Sequence, residues 1–205
     1  MTARGVSAIV LAGGRSSRFG SDKLVAEMDG RRILDLAIEQ VAAVGDEILL
    51  VLAPGDERVL PTSSAIVRRV IDPELHGGPL VGLLAGLEAV EQPIVVLVGG
   101  DMPTLSGAVL GLMIRALIAS EASADAVVLA SRGERLPLPA VLRTGAATTV
   151  ARRLVGDGER RLRSLFERLP TRALDEGEWR PLDPAGETLR DVDRPADLPE
   201  SDERG

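Results

Sequence analysis

Four short runs of nearly uninterrupted aliphatic residues punctuate this chain: Val6 to Leu11, Glu47 to Ala53, Ile94 to Val98 and Asp125 to Ala130. A strand that is apolar on both sides cannot present either side to water. Such runs therefore belong inside a mostly parallel sheet with helices packed on both faces. The intervening segments carry the helical period instead. Ile33, Leu34, Ala37, Ile38, Val41 and Val44 form one apolar stripe stopped by Gly45, and Leu80, Leu83, Leu84 and Leu87 form another. A shorter strand is expected over Ala65 to Ile71, ended by Asp72-Pro73, and a helix from about Ser106 to Ala119. Val141 to Arg143 reads as a brief strand after a Pro137-Leu138-Pro139 kink, with helices at about Ala146–Val155 and Arg160–Leu169. From Thr171 the pattern is short and broken by Pro181, Pro184, Pro195 and Pro199, and Leu198 to Gly205 reads as a loose end. This order of elements predicts a three-layer α/β fold around a mostly parallel central sheet.

The totals narrow the function classes. At 205 residues, with no repeats and no linker, a single domain spanning 1–205 is expected. Apolar residues make up 45% of the chain but aromatics only 1%, so the core must be aliphatic. The absence of cysteine excludes disulfides, thiolate catalysis and Cys-based zinc sites. No apolar run approaches the roughly 18 residues of a membrane span, and Met1 to Arg4 opens no signal-peptide core, so a cytoplasmic protein without membrane contact is expected. The net charge is −7, and five Arg against eleven Asp and Glu from Thr171 onward account for most of it. An acidic balance without a basic, aromatic-rich face argues against nucleic acid as a partner.

The first aliphatic run ends in Leu11-Ala-Gly-Gly-Arg-Ser-Ser-Arg-Phe-Gly-Ser-Asp-Lys23. Gly13, Gly14 and Gly20 let successive backbone N–H groups curl round an anion, and Arg15, Arg18 and Lys23 can balance phosphate charge. Of 24 basic residues 23 are arginine, so the single lysine falls where a compact ammonium differs most from a flat guanidinium. The spacing fits neither a Walker A loop nor G-x-G-x-x-G.

A second candidate segment, Gly99-Gly100-Asp101-Met102-Pro103, follows the Ile94 strand. A carboxylate at a strand tip beside a phosphate loop is a natural Mg²⁺ ligand, because Mg²⁺ takes one or two carboxylates and completes its shell with phosphate oxygens. Helix capping is the alternative role for Asp101, for which Thr104 and Ser106 are as well placed. Gly78, Gly82 and Gly86 recur every four residues; each interior helical glycine costs about 1 kcal/mol against alanine, so a close neighbour or a ligand is expected there. His76, the only histidine, is open to two readings, an exposed loop residue or an acceptor contact. No G-x-S-x-G elbow supports a Ser-His-Asp hydrolase.

Leu11 to Lys23 resembles the signature loop L-A-G-G-x-S-x-R-M-G-x-D-K of the molybdenum cofactor guanylyltransferase (MobA-like) family of NTP transferases, with Phe19 at the methionine position. Asp72 to Leu83 is similar to that family's D-x-x-x-x-x-G-P-L-x-G-L, and Gly100 to Pro103 to its metal motif. Leu136 to Arg143 resembles H-P-L-x-A-L-Y, with Leu136 for histidine and Arg143 for tyrosine. Gly158 to Leu162 resembles G-x-R-x-L, and Asp191 to Leu198 resembles N-V-N-T-P-E-D-L with Asp191 and Asp193 for both asparagines.

The resemblance implies a Rossmann-like nucleotidyltransferase fold, with a nucleotide-binding half at about 6–105 and an acceptor half at about 106–198. It implies nucleotide contacts from Leu11, Ala12, Gly13, Gly14, Arg15, Lys23, Ala53, Asp72, Gly78, Pro79 and Asp101, with Mg²⁺ on Asp101. Asp193, with Asp191, is open to three roles: second-metal ligand, acceptor contact or solvated charge. The implied reaction is attack by a phosphate monoester, the terminal phosphate of molybdopterin, on the α-phosphorus of GTP. The attacking oxygen is already anionic, so catalysis needs positioning and charge neutralisation by Mg²⁺, Lys23 and Arg18 rather than a strong base. One such cation is worth about 3–5 kcal/mol of transition-state stabilisation. Guanine is favoured because the Asp72 carboxylate can accept from its N1–H and 2-amino group, whereas cytosine offers only a 4-amino donor. The rivals are a CTP-dependent or sugar-phosphate transferase, and a nucleotide-binding protein without turnover. The resemblance further implies transient contact with molybdoenzymes or other cofactor-assembly proteins.

Overall fold

In this computed structural model the described residues are 5–13, 22–192 and 197. β1 (Val6–Leu11) is followed by a 3₁₀ turn (Lys23–Val25), a small hairpin of β2 (Glu27–Met28) and β3 (Arg31–Arg32), and α1 (Ile33–Ala42). β4 (Glu47–Leu52), β5 (Ile66–Ile71), α2 (Pro79–Ala89), β6 (Ile94–Gly99) and α3 (Gly107–Ala119) come next. The chain continues through β7 (Ala126–Ser131), β8 (Glu134–Arg143), α4 (Thr144–Gly156), α5 (Leu162–Arg168), β9 (Thr171–Leu174) and α6 (Glu176–Trp179).

The sheet order is β5-β4-β1-β6-β8-β7-β9. β1 lies inside the sheet and pairs in parallel with both β4 and β6, β4 with β5, and β7 with β9. β8 runs antiparallel between β6 and β7. The aliphatic runs are inside, as their two-sided composition requires: Ala8, Ile9 and Val10 are fully buried. Alternate residues serve opposite faces. Ala8 and Val10 join Leu34, Ile38, Leu110 and Met113 on the side of α1 and α3, while Ile9 joins Leu80, Leu83, Ala147 and Leu165 on the side of α2, α4 and α5. Among the described residues no helix is long and apolar enough to cross a membrane.

The glycine row of α2 has a steric cause. A Cβ on Gly86 would lie 2.9–3.2 Å from three side-chain atoms of buried Ile9, so this helix sits closer to β1 than any side chain there would allow. The β2–β3 hairpin turns on Asp29-Gly30, both at positive φ (54° and 73°), as a tight two-residue turn requires.

Two expectations are corrected. The strand expected at 141–143 spans ten residues, Glu134–Arg143, and contains Pro137 and Pro139. The ladder explains how a central strand accepts them. β6 pairs only with residues 140–143, and the β7 register shifts between Val128 and Ala130, leaving the prolines in a bulge where no regular ladder bond is lost. The second correction concerns the segment after Thr171, which is ordered into β9 and α6 rather than merely broken. Asp175 and Glu178 form a reciprocal capping box at the start of α6, and Trp179 is fully buried with its indole N–H donating to Ala130 O at 3.0 Å. Leu198 to Gly205 lies outside the described residues.

Trp179 is the largest side chain in a core that is aliphatic apart from it and Phe166. Trp179→Ala is expected to lower the unfolding free energy by about 3–5 kcal/mol, because it removes the ring and leaves Ala130 O without its donor. Urea denaturation followed by circular dichroism measures this; a loss below about 1 kcal/mol would mean that the β9–α6 segment does not contribute to the core.

Candidate active site

The chain leaves β1 toward β4 on one side and later returns to β6 on the other, so the connection order reverses between β1 and β6. Ligands of open parallel sheets bind outside the carboxyl ends of the strands at such a reversal. Here the two tips are held level by the β1–β6 register, which runs from Val6 opposite Ile94 to Leu11 opposite Gly99. Gly100 N–H continues the ladder to Leu11 O at 2.9 Å, and Ala12 N–H donates to Val51 O at 2.9 Å. Beyond these tips lies a cavity of about 400 Å³.

Its polar poles are set by the strand ends. Lys23 Nζ donates to Asp101 Oδ2 at 2.5 Å, with the two side chains 15% and 25% exposed. Asp101 is folded back over Gly99: a Cβ at Gly99 would lie 2.3 Å from Asp101 Oδ1. The two glycines before Asp101 do different things. Gly99 makes room for the carboxylate itself, while a Cβ at Gly100 would meet Leu34 and Leu11 O at 3.2 and 3.4 Å.

Asp72 follows β5, its N–H donating to Leu52 O at 2.8 Å, and is buried. Its Oδ1 accepts from Glu74 N–H at 2.9 Å. Burial pushes its carboxyl above the usual range; the Glu74 N–H bond opposes that shift and the Glu74 charge adds to it. Gly82 leaves space for Asp72, whose Oδ2 would be 3.3 Å from a Cβ there. Gly78 caps α2 at φ +90°, against the Arg160 backbone, and Pro79 opens the helix. The N-terminal end of α2 therefore borders the cavity, where the positive end of its dipole favours an anion, while its first N–H groups are bonded within the protein, Leu80 to Arg160 O at 3.1 Å and Val81 to Gly78 O at 3.2 Å.

Leu11, Ala12, Gly13, Lys23, Asp72, Gly78, Pro79 and Asp101 all border this one cavity. Ala53 does not line it, although its backbone N lies beside Gly13, 3.3 Å from where a Cβ would be. Gly14, Arg15, Arg18 and Asp193 lie outside the described residues. His76, on an exposed loop at φ +66°, also lines the cavity, so it is a loop residue at the rim of the site. Leu136 instead borders a separate cavity beside Arg163 and Phe166. Arg143, at the family's tyrosine position, is a structural tie: its guanidinium donates to Ala124, Leu117 and Glu121 carbonyls.

Sequence reasoning missed Leu138, which reaches the cavity from the β8 bulge, and Val51 and Leu24 in its apolar wall. No local signal marks them, since each is an ordinary aliphatic residue until the sheet brings it there. It also missed what holds Asp101 from behind. Val192 N–H donates to Asp101 O at 3.0 Å, Thr104 Oγ1 to Glu187 O at 2.8 Å, and Ser106 N–H to Thr188 Oγ1 at 3.1 Å. Asp191 thereby comes next to the β6 tip.

Among the described residues no group of three or more His, Cys, Asp or Glu could cage a metal. Asp101 suits the sparse ligation of Mg²⁺, which needs one or two carboxylates when phosphate and water supply the rest.

The model of the MobA-like NTP transferase domain family matches residues 8–173. A probable molybdenum cofactor guanylyltransferase from Chloroflexus aggregans is 33% identical over 201 residues, covering 94% of this chain and 91% of that protein. The molybdenum cofactor guanylyltransferase of Burkholderia vietnamiensis is 32% identical over 172 residues, covering 81% and 83%. In fold, the chain matches the crystal structure of molybdopterin-guanine dinucleotide biosynthesis protein A from Archaeoglobus fulgidus with a TM-score of 0.74 at 22% identity, covering 94% of each. A family match over residues 8–173, and relatives more than 30% identical across most of both chains, show that this chain belongs to the MobA-like NTP transferase family.

Proposed function

We propose that this nucleotidyltransferase is a Mg²⁺-dependent molybdenum cofactor guanylyltransferase, which joins GMP from GTP to the terminal phosphate of molybdopterin and releases pyrophosphate. The observation that carries the reading is the Lys23–Asp101 pair, with Asp72 set apart at the end of β5 in the same cavity. One end of that cavity offers charge for a triphosphate, and the other offers a hydrogen-bond acceptor for a base.

Lys23 and Asp101 form an ion pair. With GTP in place, Lys23 would turn its ammonium to the phosphate oxygens, leaving the Asp101 carboxylate as the group that would hold Mg²⁺. Held there, the ion would supply Lewis-acid polarisation of the phosphate and charge balance for the leaving group. Asp72 accepts from the N1–H and 2-amino group of guanine and sets the base in the apolar wall of Leu11, Val51 and Leu138. The acceptor enters from the side of residues 106–198, and its anionic phosphate oxygen attacks the α-phosphorus. The bond from that phosphorus to the bridging oxygen breaks, and pyrophosphate carries the electron pair away. The positive end of the α2 dipole adds a favourable field near the phosphates.

Pyrophosphate release, assayed with GTP, CTP, ATP and UTP in the presence of Mg²⁺, is expected with GTP and only when the molybdopterin acceptor is added. Preference for CTP would overturn the assignment of the base, and a failure of all four would overturn catalysis.

Two substitutions separate the poles. Asp101→Ala should lower kcat by about 10²–10³-fold, and Lys23→Arg should lower it by at least about 10-fold, because a guanidinium cannot reproduce a point ammonium in this contact. Near-normal rates in steady-state assays of either would remove that residue from the mechanism.

Asp72→Asn should act elsewhere, raising KM for GTP by about 10-fold with a smaller effect on kcat, because it replaces one of two acceptors facing guanine donors. Unchanged discrimination among the four nucleotides would show that the base is read by another group.

A further inference from the structure

Lys23 can serve a triphosphate only if the turn that carries it is fixed, and the structure shows what fixes it. Asp22 caps this turn, its Oδ1 accepting from Leu24 N–H at 3.1 Å. The other carboxylate oxygen, Oδ2, accepts from Arg58 Nη2 at 3.0 Å across 36 residues of chain. Arg58 stands in the loop between β4 and β5 and also grips Asp56, through Nε at 2.9 Å and Nη2 at 2.5 Å. That grip holds the Asp56 carboxyl below the usual range. The loop is fastened to the sheet by Arg69 of β5, whose guanidinium donates to the carbonyls of Asp56 at 3.2 Å and Arg58 at 2.5 Å.

The Arg58 side chain is only 15% exposed, and its Nη1 is buried without a hydrogen-bond partner among the described residues. An orphaned buried N–H is unfavourable. A loop seeking stability alone would let this long side chain reach water; here it is drawn in so that one planar fork spans two carboxylates. Among the described residues Arg58 is not part of the cavity lining, and its side chain reaches the Lys23 turn through Asp22.

We infer that Arg58 is a positioning residue for nucleotidyl transfer: by holding Asp22, it fixes the Lys23 turn so that the ammonium stays aimed at Asp101 and the triphosphate. The inference rests on the reading above that Lys23 contacts the nucleotide's phosphates. It predicts that Arg58 matters to the triphosphate tail and not to the base.

Arg58→Gln, Asp22→Asn and the double variant test this in the full-length protein, by calorimetric binding of GTP and of guanosine and by steady-state kinetics. Asp22→Asn keeps a capping side chain but removes the charge that Arg58 holds. Each single variant should weaken GTP binding and lower kcat by about 10–100-fold, with guanosine affinity within about 2-fold of wild type. The double variant should be no worse than either single one. Arg58→Lys should recover little, since an ammonium cannot span two carboxylates in fork geometry.

Unchanged GTP affinity and kcat in the single variants overturn the inference. So do additive losses in the double variant, equal losses for guanosine, or full recovery by lysine. If Arg58→Gln does not fold, Asp22→Asn alone carries the same comparison of GTP with guanosine. A wild-type protein that binds no GTP overturns the proposed function and this inference together, whereas binding by wild type with indifferent variants overturns only the inference.

Discussion

The contact between Lys23 and Asp101 joins residues 78 positions apart, and the described site is arranged around it. Parallel pairing of β1 with β6 brings the two strand tips level, so that the loop leaving one and the turn leaving the other face each other. Both groups are largely withdrawn from water. The desolvation of a pair like this offsets much of its Coulomb attraction, which makes it a poor source of net stability. It is a good store of function for the same reason. Each charge is already partly desolvated, so in the proposed reaction a phosphate or metal ion would need only to replace one partner with another.

Glycine does two different jobs around this pair. At Gly78 the backbone itself requires it, because the cap of α2 has φ +90°. At Gly13, Gly82, Gly86 and Gly99 no unusual φ is involved; what matters is the missing Cβ. Gly86 lets α2 approach Ile9, Gly82 receives the Asp72 carboxylate, and Gly99 receives that of Asp101. The row in α2 thus gives up intrinsic helix stability so that one end of the helix can lie close to the sheet and the other can border a ligand cavity.

The described part of the acidic region after Thr171, residues 171–192, supports the site. β9 extends the sheet, Trp179 locks α6 onto β7, and Asp183 accepts three backbone N–H groups from Gly186, Glu187 and Thr188. The bonds to Asp183 hold its carboxyl below the usual range against the opposing effect of burial. The segment shaped in this way ends with Val192 on the backbone of Asp101, behind its carboxylate. Arg58 plays the matching part behind Lys23, so each member of the central pair has its own brace from a distant stretch of chain.

Strand identity, helix order and the parallel core were legible from residue pattern, because two-sided aliphatic runs such as Val6 to Leu11 have no other stable placement. The poles of the site were legible too, since Lys23 and Asp101 each follow such a run and carry chemistry their neighbours lack. Pairing decided the rest. Pro137 and Pro139 read as a strand breaker until the shifted ladder placed them in a bulge, and that bulge carries Leu138 into the cavity. Trp179 lay in a stretch without periodicity, and its burial depends on β7 being the neighbour of β9. Local sequence records what each residue can do on its own strand or helix. Which residues meet is a property of register and crossover, and no single segment contains that information.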